Sequence, residues 1–324
     1  MPQTEPHKQS LKSGNNPGVQ RPMTLAEWLL LMLVAGFWGG SYFFTGVAIK
    51  ELPVFAIVMA RYAIAAPIMI ALIYWMRQRF PWNRDIIKAG LFLAAFNQLI
   101  PFSLITWGQS HIPSAVASIV NAAGPIITLV MAHYITRDDR MNGARAAGVL
   151  IGFAGMGIMI GAAAMQALNV NIAAQLACVL ASVSYAFGAI TARKFTQNKI
   201  TPVELVAAQS VTAGIILLPI LLAVDKPWML PLPSIQTWLS LLGLGLLSST
   251  IGHLIYFRLL ATAGATNLSL VSYFMPISAI MLGVVFLGEV LETRHVIGMF
   301  TIAAGLAVMD GRPWRVLRKM AHRS

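Results

Sequence analysis

The chain has 324 residues, of which 57% are hydrophobic and only 10% charged, with a mean hydropathy of +0.72. A soluble domain carries about 25% charged residues, so the composition excludes a soluble globular protein and predicts a polytopic, all-α membrane protein. The net charge of +12 would suit nucleic acid, but the placement of the charges along the chain excludes that partner, as shown below.

Residues 1–23 are polar and rich in Pro, Gly, Asn and Lys, and read as a disordered cytoplasmic tail. Ten apolar segments follow, each able to cross a hydrocarbon core about 30 Å thick as a helix. They run over 25–48, 53–76, 86–109, 113–135, 142–164, 171–193, 202–224, 236–260, 266–288 and 294–311. The first is too long for a signal peptide and lacks a small-residue cleavage site. Pro53, Pro113, Pro202, Pro231 and Pro233 punctuate short connections, none of which could hold a soluble domain. The basic tail at 312–324 is expected to lie on anionic lipid of the inner leaflet. The single cysteine, Cys178, sits in an apolar run and reads as a small core residue, with no disulfide or metal site implied.

With the N-terminus in the cytoplasm, all but four of the 23 Lys and Arg fall on the inner side. Lys50, Lys226 and Arg294 fall outside, and Arg61 lies within a span. Such an inward excess sets topology, predicts cytoplasmic N- and C-termini, and accounts for the high pI without nucleic acid.

The segments repeat. Pro125 and Pro276 stand 151 residues apart, as do Asn121 and Ser272, and Gln98 and Ser249. Gly155 and Gly305 are 150 apart, and Pro53 and Pro202 are 149 apart. The chain thus divides into halves at 24–164 and 165–311, five helices each. Five is odd, so the second half enters the membrane from the opposite side, an inverted repeat of the kind secondary transporters use for alternating access.

Proline leaves the carbonyl four residues earlier without its helical partner. Here those carbonyls belong to Asn121 and Ser272. In lipid they must be buried in protein or line a wet cavity, so Pro125 and Pro276 predict helix kinks and a polar seam near the midplane. The alternative is that the prolines only bend helices to shape the bundle. Polar residues cluster in the same spans: Asn97 and Gln98 in the third, Ser114, Ser118 and Asn121 in the fourth, Ser249, His253 and Tyr256 in the eighth, and Ser269, Ser272 and Tyr273 in the ninth. Polar groups at membrane depth usually face a cavity.

Trp38 and Tyr42 in the first span and Tyr185 in the sixth lie away from the interfaces where aromatic belts form. Together with Tyr273 they could wall a site for a ring-bearing substrate, or serve as packing bulk. Arg61 lies about 12 Å in from the outer end of its helix at 1.5 Å per residue. It could attract a substrate carboxylate or tie down backbone carbonyls. His253 could relay a proton, stack on a substrate, or be a core histidine. No Asp or Glu occupies the middle of any span, which disfavours a cation pump and favours a neutral, zwitterionic or anionic substrate. No H-E-x-x-H or paired Asp lies within a span, so neither an enzyme nor a cofactor is implied. Gly36-x-x-x-Gly40, Gly148-x-x-x-Gly152 and Gly157-x-x-x-Gly161 allow close helix packing, expected within one chain, so that the protein is a monomer.

The chain resembles the EamA family of the drug/metabolite transporter superfamily. The resemblance rests on the duplicated five-helix plan with a proline in the fourth helix of each half, FWGGS (37–41), Arg61, FLGEVL (286–291), and the glycine-rich helices GVLIGFAGMGIMIG (148–161) and IGMFTIAAGLAVMDG (297–311). It covers residues 24 to 311. The first half departs from it, reading TRDDR (136–140) where the second has Gly-Glu. The resemblance implies a ten-helix exporter of small metabolites, often amino acids, in a bacterial inner membrane; some similar members export aromatic amino acids. Nucleosides, sugars and vitamins are the alternative substrates, and a membrane enzyme or scaffold a more distant one.

Overall fold

A computed structural model of the chain describes residues 23–77, 83–135, 143–160, 170–196 and 200–310. The tails and the TRDDR segment lie outside these residues. The described residues contain helices and no strand. Seven helices are long and apolar enough to cross a membrane, and three shorter apolar helices occupy the remaining segments. Large apolar side chains such as Leu150, Ile215, Val285 and Phe300 are exposed, while Gln98, Gln109, Gln175, Gln209, Ser118 and Ser182 are buried. This inside-out distribution suits a bundle solvated by lipid, where interior polar groups bond between helices.

The first two segments form single helices, α1 (Leu25–Ala48) and α2 (Val54–Trp75). Thr24 and Glu27 start α1 with a reciprocal capping box. The third segment is α3 (Arg84–Leu93), a π turn (Ala94–Leu99) and α4 (Ile100–Gln109). The fourth breaks into α5 (Ser114–Asn121) and α6 (Gly124–Ile135). Then come α7 (Gly143–Ile160), α8 (Val170–Thr196) and α9 (Pro202–Val224). The eighth segment is α10 (Ile235–Leu242), a π turn (Gly243–Ile251) and α11 (Gly252–Ala263). The ninth is α12 (Ala265–Leu268) and α13 (Val271–Leu287), and the last is α14 (Thr293–Asp310).

Glycine decides the closest approaches. A Cβ on Gly148 would come within 2.6 Å of the Gly305 carbonyl oxygen, and one on Gly155 within 3.0 Å of the Gly298 carbonyl oxygen. Helices α7 and α14 therefore meet backbone to backbone. Under a shift of 150 residues, Gly148 becomes Gly298 and Gly155 becomes Gly305, so the one contact maps onto the other. Gly39 does the same for α1, where a Cβ would collide with Ser278 Oγ and the Met275 carbonyl of α13. The spacing of glycines misleads elsewhere. Gly36 and Gly157 face open space and Gly40 makes an ordinary contact, because a helix turns 100° per residue and only one stripe meets its neighbour.

At one end of the bundle the two halves are stitched by carboxylates. Glu289 accepts hydrogen bonds from the backbone N–H groups of Ser114 (2.7 Å) and Ala115 (2.9 Å). Asp225 accepts from Ala56 N–H (2.8 Å) and Glu51 from Ser234 N–H (2.7 Å). Burial raises the Asp225 carboxyl, while the Ser234 N–H holds the Glu51 carboxyl below its ordinary value.

Candidate functional site

The two π turns supply the backbone of the site. In a π turn each N–H reaches the carbonyl five residues back, as Ile100 does to Ala95 and Gly252 to Leu247. Such turns cluster at functional sites because carbonyls in the widened turn can take side-chain donors. The Phe96 carbonyl accepts from Ser184 Oγ (2.8 Å). The Ser248 carbonyl accepts from Trp38 Nε1 (3.2 Å), and the Ser249 carbonyl from His253 Nδ1 (3.0 Å). A carbonyl can only accept, so Nδ1 of His253 carries a proton and donates in this bond.

From these turns a continuous chain of contacts crosses the bundle. Arg61 on α2 is buried, 6% exposed. Its Nε donates to Ser249 Oγ at 3.1 Å, and its guanidinium carbon lies 3.9 Å from the centre of the Phe102 ring. Phe102 on α4 meets Tyr185 of α8 edge-on, with centroids 6.2 Å apart. On the other side, the Ser249 carbonyl holds His253, whose ring meets Trp38 edge-on at 5.6 Å; Trp38 also packs on Tyr256 at 5.1 Å. The interactions of Arg61 are thus with a hydroxyl, an aromatic face and the nearby phenols of Tyr185, Tyr62 and Tyr42. Among the described residues no carboxylate pairs with it.

The other predicted residues fall around this chain. Asn121, the last residue of α5, accepts from Ser182 Oγ of α8 at 2.8 Å. Tyr42 is buried in the central cluster, against which Trp38, Tyr185 and Tyr273 pack; its backbone carbonyl takes Gln109 Nε2 at 2.8 Å. Gln98 is 2% exposed and its Oε1 has no partner. Its neighbour Asn97 turns away, so that Oδ1 fills the space beside Gly188 of α8. Pro125 is the second residue of α6, after a helix end at Asn121, so its missing N–H lies in the first turn. Pro276 lies inside α13, six residues past the turn at Ser269–Leu270.

Sequence reasoning missed Phe102 and Ser182. A phenylalanine and a serine in apolar helices carry no signal of their own. Only the backing of Phe102 on Arg61, and of Ser182 on Asn121, marks them. No group of three or more His, Cys, Asp or Glu able to hold a metal occurs among the described residues.

Two consecutive stretches of the chain, residues 26–161 and 172–309, each match the EamA-like transporter family. The chain belongs to that family. Several of its relatives carry transporter names. An uncharacterized transporter of Archaeoglobus fulgidus is 26% identical over 289 residues, 88% of this chain and 99% of the relative. Protein PagO of Salmonella typhimurium is 26% identical, over 86% of this chain and 90% of its own length. An inner membrane transporter of Escherichia coli, YedA, is 25% identical over 79% and 81% respectively. A solved crystal structure superimposes with a TM-score of 0.62 at 18% identity, covering 88% of this chain and 97% of that one, and so shares the fold. This EamA protein is therefore a multi-pass membrane protein of a transporter family.

Proposed function

We propose that this protein exports amino acids, aromatic or other large neutral ones, across the bacterial inner membrane by alternating access. The observation that carries the substrate class is Arg61: a buried guanidinium without an acidic partner among the described residues, backed by Phe102 and flanked by Tyr185. A charge so placed is costly unless something pairs it, and a guanidinium pairs a carboxylate in bidentate fashion. Trp38, Tyr42, Tyr273 and His253 offer apolar faces and polar edges to a ring. Gln98, Asn121 and Ser249 offer amides and a hydroxyl for the amino group, while Asn97, turned to Gly188, stands behind them.

The architecture in this reading is ten spans in two inverted halves with both termini cytoplasmic. The matched family segments, the paired π turns and the self-mapping glycine contacts of α7 and α14 support it. Those glycine surfaces are consumed within the chain, which favours a monomer. Pro125 and Pro276 act as hinges that shape the seam.

The test is substrate-dependent stabilisation of purified protein. A ligand at 100 times its Kd stabilises by about 2.7 kcal/mol, which a thermal melt resolves. Tryptophan, tyrosine and leucine should raise Tm in the native protein and not in Arg61→Ala. If no amino acid does so while a nucleoside or sugar does, the substrate assignment is wrong.

A further inference from the structure

The FLGEVL segment has a role that the substrate site leaves unused. Helices α2 and α5 begin after Pro53 and Pro113, and neither N-cap residue makes a side-chain cap. Their first N–H groups are instead taken by Asp225 and Glu289, 169 and 175 residues away in the other half of the chain. Gly288, at φ 66°, makes the left-handed turn that ends α13 and brings Glu289 back over α5. A residue with a Cβ is strained there.

Resting on the transport reading above, we propose that Glu289 is a positioning residue that latches α5, the outer half of the fourth span, as the extracytoplasmic gate, with Asp225 as a second catch on α2. Four observations support it. α5 has eight residues, nearly all small or β-branched and buried, so it moves as one short rod. It ends in the Ala122–Ala123 turn, and Gly124 beyond has open space around it, which suits a hinge. A cleft of about 380 Å³ lies beneath the latch, lined by Lys50, Gln109, Ser114 and Glu289 among others. Gln109 Oε1 and Ser114 Oγ are buried without partners, and an outward swing of α5 would hydrate both. The opposite end of the rod is Asn121, bonded to Ser182. Eight residues span roughly 12 Å, so one rigid element joins the latch to the site, and charge-assisted bonds to a helix N-terminus are strong enough to hold a gate while remaining breakable.

The experiment uses proteoliposomes of the full chain carrying Cys178→Ala and Ser118→Cys, labelled from outside with a membrane-impermeant thiol reagent. Glu289→Gln should speed labelling by about tenfold, the factor that 1.4 kcal/mol supplies, and Glu289→Asp by less. Unchanged labelling in Glu289→Gln overturns the latch. A second arm covers failure of that variant to fold. In Gly46→Cys with Ser114→Cys, a Cβ at position 46 stands 3.6 Å from the Ser114 Cβ, within disulfide range. Oxidation should stop transport and reduction restore it; transport that continues when oxidised overturns the proposal. Labelling needs no substrate, so a protein that moves no amino acid but whose labelling responds to Glu289 refutes the transport reading and not the latch.

Discussion

Arg61 Nε donates to Ser249 Oγ across 3.1 Å, joining the second helix of one EamA segment to the π turn of the other. The bond fixes one edge of the guanidinium, and in the proposed function the terminal nitrogens take the substrate carboxylate. It also means that relative movement of the two halves must change the surroundings of the charge.

Replacement of Arg61 by Lys keeps the charge and removes the fork. For carboxylate-bearing substrates we expect KM to rise by about tenfold, the loss of one strong charge-assisted bond. Analogues that lack the carboxylate should change little. Uptake kinetics for an amino acid and its decarboxylated analogue check this; equal losses would assign Arg61 a structural role.

Trp38 contributes a ring and a donor. Trp38→Phe keeps most of the ring and leaves the Ser248 carbonyl without its donor, a cost of about 1 kcal/mol and so a few-fold fall in transport. Trp38→Ala should abolish it. Indistinguishable effects of the two would mean that the ring is packing alone.

Asn121 and Ser182 can be separated. Ser182 Oγ also reaches its own helix at the Cys178 carbonyl, 3.2 Å away. Asn121→Ala leaves Ser182 satisfied but takes the amide from the buried Tyr42 hydroxyl as well, and folded protein with impaired transport is the expected result. Ser182→Ala should transport nearly normally. If both lose transport equally, the bond between them matters and the amide has no contact with substrate. Gln98→Ala is expected to behave as Asn121→Ala.

Glycine contacts give a stability test. Gly155→Leu forces apart α7 and α14 and should cost about 1–3 kcal/mol, as overpacking does. Gly157→Leu, two residues on, faces open space and should leave Tm unchanged. Thermal melts in detergent compare the two directly.

The positions of the apolar segments were legible in the sequence, because hydropathy acts over whole helices. The π turns were not. They are set by how Ala94–Leu99 and Gly243–Ile251 meet their neighbours, and no residue type marks them. The polar residues of the spans stand out by type, but their directions do not. Asn97 and Gln98 are adjacent and so lie about 100° apart on a helix, and only packing shows that Asn97 turns to Gly188. The fourth segment divides at Asn121, before Pro125 rather than at it, because the proline fits the first turn of a new helix. Glu289 was visible as a motif; its partner, the start of α5, is 175 residues away and only the fold brings them together.

The most direct test of the account is counterflow in proteoliposomes with a panel of labelled amino acids. Saturable exchange of tryptophan, phenylalanine or leucine, lost in Arg61→Ala while the variant stays folded, is the predicted result. Exchange of no amino acid, or undiminished exchange in Arg61→Ala, would contradict it.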